Sequence, residues 1–204
     1  MSADSKAAPP QAHPGPSGMS LRERKKERTR RTIRMEAFRL FRERGYAETT
    51  VEQIAAASDI SPSTFFRYFP SKEQVVLVDD LDPILIRALE EQPLDLSPLE
   101  AFKRAATAIY HSLNAEEFAF EQERVRLVYG VPELRGAMIY ELDRTRELMA
   151  GLVARRTGRS ADSLEVQAFS GAVIGALTIV TDGGELDLDR MVAILEFLQA
   201  GMPL

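Results

Sequence analysis

Apolar residues recur at helical spacing along most of the chain, and the polar residues between them carry helix-start and helix-stop signals. Ser20 with Glu23 predicts a capping box, in which each residue satisfies a backbone N–H of the other. Behind it Ile33, Ala37, Phe38 and Phe41 form one stripe, and Gly45 stops the helix. Thr50 with Gln53 predicts a second box, opening a short helix with Ile54, Ala55 and Ala57 inward and a break at Ser58-Asp59-Ile60. Ser61 caps the next helix, Pro62 sits at its first position, where a missing N–H costs nothing, and Pro70 ends it. Ser71 with Gln74 predicts a third box and a helix over 72–90 that Pro83 kinks or splits. Ser97 with Glu100 repeats the pattern and starts a helix to Leu113; Asn114 with Glu117 starts another, to Tyr129. Pro132 opens a long helix that Gly158 ends, residues 162–181 form the most apolar helix, and a last one covers 188–200. With no strand alternation and no fixed repeat, the pattern predicts an all-α fold of about nine helices.

The segment ISPSTFFRYFPSKEQ puts Phe65, Phe66, Tyr68 and Phe69 within five residues. On a helical wheel Phe65 and Phe69 share the inward face, toward Phe38, Phe41 and Ile54. Ser63, Thr64 and Arg67 fall opposite, and Phe66 and Tyr68 lie on the flanks. Two rings are therefore core and two are rim, and the outward face is small and polar with one cation. Two short helices joined by a tight turn, the second exposing such a face, match a helix-turn-helix whose second helix enters the DNA major groove. An ordinary helical hairpin would carry the same periodicity.

Charge narrows the choice. The chain has a net charge of −5, unevenly spread. Residues 21–75 hold thirteen Lys/Arg against eight Asp/Glu, whereas residues 76–204 hold twelve against twenty-two. A basic first part on an acidic body points to a polyanionic partner, with the run Arg22–Arg34 adding phosphate attraction. The absence of cysteine excludes disulfides, thiolate metal sites and a Cys nucleophile, and two histidines, His13 and His111, leave little for a His-based metal site or triad. The expected metal and cofactor content is none. MSADSKAAPPQAHPGPSG lacks the apolar core of a signal peptide and reads as a disordered tail over 1–19. The run Val166–Thr181 falls short of the ~20 residues that span a bilayer, so a cytoplasmic protein without membrane partners is expected.

The stretch Gly45–Val76, GYAETTVEQIAAASDISPSTFFRYFPSKEQVV, closely resembles the DNA-binding domain of the tetracycline-repressor (TetR) family. The Thr-Thr-Val start, the Ile-Ala pair, the Tyr-Phe-Pro-Ser-Lys-Glu end and the basic helix before them carry the resemblance. It implies an all-α homodimer with a helix-turn-helix DNA-binding domain over 20–71 and a ligand-binding and dimerisation domain over 72–204. Carried over by position, DNA contacts fall on Thr50, Ser63, Thr64, Phe66, Arg67, Tyr68 and Lys72. Thr50 and Lys72 would hold phosphates; Ser63, Thr64 and Arg67 would reach base edges; Tyr68 would meet backbone or a thymine methyl. Phe66 departs from the family's usual Tyr, so that hydroxyl–phosphate contact is absent here or replaced by apolar packing.

The C-terminal part carries no comparable motif. Gly171, Ala172, Gly175 and Ala176 give small residues four apart, which permit close helix approach. By the resemblance, residues 163–181 and 188–200 form a dimer interface; burial within the subunit is the alternative. Met191, Ile194, Leu195 and Leu198 share one side of the last helix and could face either partner. A ligand cavity is expected among the helices of 97–181, with candidates Phe102, Tyr110, His111, Phe118, Arg124, Tyr129, Tyr140, Arg144 and Phe169. The segment from Arg124 to Arg159 is also similar, more weakly, to an actinobacterial subgroup with an acyl-CoA-like ligand domain. That likeness implies an apolar slot with arginines such as Arg124, Arg126 or Arg144 for a phosphate or carboxylate.

The leading reading is a ligand-responsive transcriptional regulator that is not an enzyme, a repressor released from double-stranded operator DNA by a small hydrophobic molecule. An all-α small-molecule enzyme and a ligand-independent DNA-binding protein are the alternatives. The enzyme lacks a visible metal set, nucleophile–base pair or Gly-rich phosphate loop.

Overall fold

The computed structural model describes residues 20–78, 80–181 and 183–204. The tail expected over 1–19 lies outside the described residues. Ten α-helices and no strands occur among those described: α1 Leu21–Arg44, α2 Val51–Ala57, α3 Pro62–Tyr68, α4 Lys72–Leu77, α5 Asp82–Glu90, α6 Pro98–Ser112, α7 Ala115–Gly130, α8 Pro132–Thr157, α9 Leu164–Thr181 and α10 Leu188–Gln199. The extra helix arises because 72–90 is two helices. Val78 leaves α4 with extended backbone (ψ 124°), and Pro83 stands in the first turn of α5, where its missing N–H breaks no bond.

The caps explain where the helices start. Ser20–Glu23, Thr50–Gln53 and Asn114–Glu117 are complete capping boxes. Two expected boxes are only half made. Ser71 accepts the Gln74 N–H, but the Gln74 side chain donates instead to Glu141 Oε1 at 2.8 Å. Ser97 accepts the Glu100 N–H, while the Glu100 carboxylate pairs with Lys103 at 3.0 Å and Arg104 at 2.8 Å. In both, a better partner draws the third residue away from the cap.

The chain divides into two compact units, the first ending at Tyr68 and the second running from Phe69 to Leu204. In the first, Ile33, Ala37, Phe38, Leu40 and Phe41 of α1 are buried with Tyr46 of the turn that follows, Ile54 and Ala55 of α2, and Phe65 of α3. The rings of Phe38 and Phe41 meet edge-on at 5.8 Å, and Phe41 lies 5.1 Å from Tyr46. In the second unit Leu89, Leu99, Phe102, Met149, Val153, Val166, Val173, Ile174 and Leu195 form a core shared by α5, α6, α8, α9 and α10. Met191 and Leu198 pack against it, so that side of α10 faces its own subunit.

Helix α9 starts two residues before the run Val166–Thr181 and, contrary to the expectation from that run, is long and apolar enough to cross a bilayer by length and composition; 28% of it is buried within the chain. Its exposed side carries Leu164, Ala168, Ala172, Gly175 and Ile179, which recur every three or four positions and make one apolar stripe. A Cβ placed on Gly175 would meet nothing within 4 Å, so the packing of this chain does not require a glycine there.

Candidate functional site

The turn between α2 and α3 is closed by backbone bonds. Ile60 N–H reaches Ala55 C=O at 3.0 Å and Asp59 N–H reaches Ala56 C=O at 3.2 Å, with Asp59 left-handed at φ 54°. This is a Schellman C-cap with Asp in the place usually held by Gly; a short acidic side chain tolerates that conformation. The closure leaves four residues, Ser58 to Ser61, between two helices that pack on one another.

On α3, Phe65 is fully buried and anchors the helix to the first unit, and Phe69, just beyond it, is fully buried as well. Ser63 and Arg67 are exposed, Thr64 and Tyr68 half-buried, and Phe66 is 51% exposed. The division into core and outward rings expected from the wheel is the one observed. Phe66 stands at 90° to Phe65, 5.5 Å between centroids, so its exposed ring is held by a buried one. The Arg67 guanidinium lies 5.6 Å over the Tyr68 ring, which pre-orients the side chain along the outer face.

The polar groups of this face are linked. Ser61 Oγ accepts the Thr64 N–H at 3.2 Å as the α3 cap, and lies 2.9 Å from both Ser63 Oγ and Thr64 Oγ1. Sequence reasoning assigned Ser61 to capping and missed that its hydroxyl sets the rotamers of the two residues expected to meet base edges. The Ser-Pro-Ser-Thr helix start was the available signal. Thr50, exposed at the α2 N-cap, accepts the Gln53 N–H at 3.3 Å through Oγ1, an arrangement in which its own O–H can donate outward. Lys72 opens α4 in the second unit and is half-buried.

The nine ligand candidates are dispersed. Phe102 is core, and Phe169 packs against that core. Tyr110 donates to the Leu186 carbonyl at 3.2 Å and meets Phe118 edge-on at 5.5 Å; burial, then the nearby Asp187 charge, pushes its phenol pKa up. The Tyr129 hydroxyl lies 2.6 Å from Thr181 Oγ1. Arg124 is buried, and its Nε donates to the equally buried Glu121 carboxylate at 2.6 Å. His111 is exposed and Tyr140 is 79% exposed, while Arg144 sits at the surface 3.7 Å from Glu141 and 3.9 Å from Asp82. Tyr129 meets the last residue of α9 and Tyr110 the segment beyond it, where Gln122 also bonds Gly184 C=O and Leu186 N–H, and Phe118 packs on Tyr110. Two clefts lie elsewhere in the second unit. One of about 350 Å³ is lined by Arg146, Glu147, Ala150, Ala161, Asp162 and Gln167. Another of about 120 Å³ is lined by Leu89, Glu90, Leu94, Leu152, Arg155 and Arg156. Neither includes any of the nine.

Residues 33–78 match the family model described as bacterial regulatory proteins, tetR family, and residues 96–203 match that described as MftR C-terminal domain. The HTH-type transcriptional regulator TcmR of Streptomyces glaucescens is 36% identical over 160 residues, covering 75% of this chain and 71% of the relative. The HTH-type transcriptional regulator EthR of Mycolicibacterium smegmatis is 27% identical over 176 residues, covering 81% and 74%. Among solved structures, the fatty acid degradation regulator FadR of Bacillus halodurans has a TM-score of 0.55 at 20% identity, over 85% of this chain and 96% of that one, a likeness of fold. The helix-turn-helix of α2 and α3, the all-helical second unit, and family matches over both parts place the chain in the TetR family of DNA-binding transcriptional regulators.

Proposed function

We propose that the protein is a homodimeric, cytoplasmic repressor without enzymatic activity, released from its operator by a small hydrophobic molecule. Residues 20–71 serve as the DNA-binding domain and residues 72–204 as the ligand-binding and dimerisation domain. The observation that carries the reading is the outer face of α3. Ser63, Thr64, Phe66 and Arg67 project from a helix fixed through buried Phe65, with hydroxyls and guanidinium already oriented. Ser63, Thr64 and Arg67 read base edges, Thr50 and Lys72 hold phosphates, and Tyr68 meets backbone or a thymine methyl. Phe66 offers apolar contact in place of a hydroxyl.

Dimerisation uses the exposed stripe of α9 with α10, where Phe197 is also exposed. Ligand acts through α4, whose Gln74 is tied to Glu141 of α8. A shift of α8 pulls α4 and respaces the two reading helices; operator half-sites are fixed by DNA pitch, so respacing removes simultaneous docking. The ligand class rests on the likeness of Arg124–Arg159 to an acyl-CoA-like ligand domain: an elongated apolar molecule with an acidic end, for which Arg124 and Arg144 would have to leave their carboxylate partners.

The test is enrichment of an operator from random duplexes, followed by band shifts. Arg67→Ala and Tyr68→Ala are each expected to cost about 1–3 kcal/mol of specific affinity with the dimer intact. Unchanged affinity in both variants removes the α3 assignment. A ligand-independent DNA-binding protein is the second reading, favoured by the dispersal of the ligand candidates away from both clefts.

A further inference from the structure

The cationic charge of the DNA-binding segment is concentrated outside its helix-turn-helix. Residues 21–32 carry seven Lys/Arg against Glu23 and Glu27, whereas residues 33–75 carry six against six and are neutral. Within that neutral part Arg34 is buried, and Arg39 is paired at 2.8 Å with both Glu36 and Glu43. The reading helix itself supplies one cation, Arg67. A duplex is held mainly through its phosphates, and a helix-turn-helix segment with no net charge, in a chain whose second part is acidic, supplies little of that attraction.

The first three turns of α1 have the opposite character. Residues 20–28 and 31–32 are exposed, residues 29 and 30 are half-buried, and the first buried residue is Ile33. This length contributes nothing to the core, yet it is helical from its first residue. The complete Ser20–Glu23 capping box closes its end, and the Ser20 backbone N–H, then its hydroxyl, hold the Glu23 carboxyl below its ordinary pKa. Glu23 and Glu27 are four apart and share one stripe, which leaves the rest of the circumference to Arg22, Lys25, Lys26, Arg28 and Arg31. Leu21 is the only apolar residue among positions 21–32, so the arm has no face to bury in a lipid surface or against an apolar groove.

We infer that Ser20–Thr32 is a helical arm that binds the phosphates of duplex DNA flanking each half-site and supplies most of the sequence-independent affinity. At 1.5 Å per residue it runs roughly 18 Å along α1 before the first buried residue, enough to follow about five base pairs. The inference rests on the DNA-binding reading above and adds a division of labour: α3 selects the sequence and the arm holds the backbone.

The test compares the full-length protein with a variant in which Arg22, Lys25, Lys26, Arg28 and Arg31 are all Gln, and with one that keeps the charge by placing Lys at Arg22, Arg28 and Arg31. Affinity is measured by anisotropy between about 50 and 200 mM salt. The duplexes are the enriched minimal operator, the same operator lengthened by about five base pairs at each end, and a random duplex. In the Gln variant the slope of log affinity against log salt should shrink by roughly three to four per subunit. Specific and random duplexes should weaken by the same factor, and the gain that the wild type draws from the longer duplex should vanish. The Lys variant should keep slope and gain, and circular dichroism should show the helix retained in both. An unchanged slope in the Gln variant, with specificity still lost in Arg67→Ala, overturns the arm and leaves the repressor reading standing. Loss of binding to anionic vesicles or an acidic protein, with DNA affinity intact, also overturns it. Failure of the wild type to enrich any operator overturns both readings.

Discussion

Glu121 and Arg124 lie one turn apart on α7, and both are buried, at 4% and 6% exposure. Each charge makes the other tolerable away from water, and removing one leaves the burial of the other less well compensated. Arg124→Ala should therefore lower unfolding stability by about 3–5 kcal/mol, whereas replacing both residues with apolar ones of similar size should cost far less. Denaturant melts of the two variants check this; equal losses would mean that the pairing does not dominate. The i, i+3 spacing of this pair could be read from the sequence, but its depth could not, because depth depends on which helices cover α7. The same holds for Tyr140: an aromatic among apolar neighbours reads as a pocket residue, and the fold leaves it at the surface.

Element boundaries were largely legible because they are written locally. Pro62, Pro83, Pro98 and Pro132 all fall in first turns, and Gly45 and Gly158 adopt positive φ at helix ends. The half-made box at Ser71 marks where the distant Glu141 outcompeted a local cap, and the one at Ser97 where Lys103 and Arg104, one turn further along the same helix, did. The role of α9 belongs to this scale as well. Its Ala168, Ala172 and Gly175 suit close helix approach, and among the described residues nothing comes within 4 Å of a Cβ placed on Gly175. Gly175→Leu should leave the subunit folded, with an unaltered circular dichroism spectrum, while light scattering shows the dimer separated or misassembled. An unaltered dimer would place Gly175 outside the interface.

For the whole molecule, the proposed mechanism makes ligand and operator weaken each other's binding. Acyl-CoAs added to the protein–operator complex should lower the anisotropy of labelled operator. The factor by which ligand weakens DNA binding must equal the factor by which DNA weakens ligand binding. If acyl-CoAs of every chain length leave the complex intact while a flat aromatic compound dissolves it, the ligand class is wrong and the repressor mechanism stands.

The sequence by itself determined an all-helical chain, the helix ends, the two buried rings of 65–69, and a basic first part, since all follow from short-range spacing, caps and charge. The tertiary structure decided which way α10 faces, that Arg124 is buried against Glu121, and that the ligand candidates do not share one cleft. Those features depend on contacts between residues far apart in the chain, such as Gln74 with Glu141 or Tyr110 with Leu186, and periodicity carries no record of them.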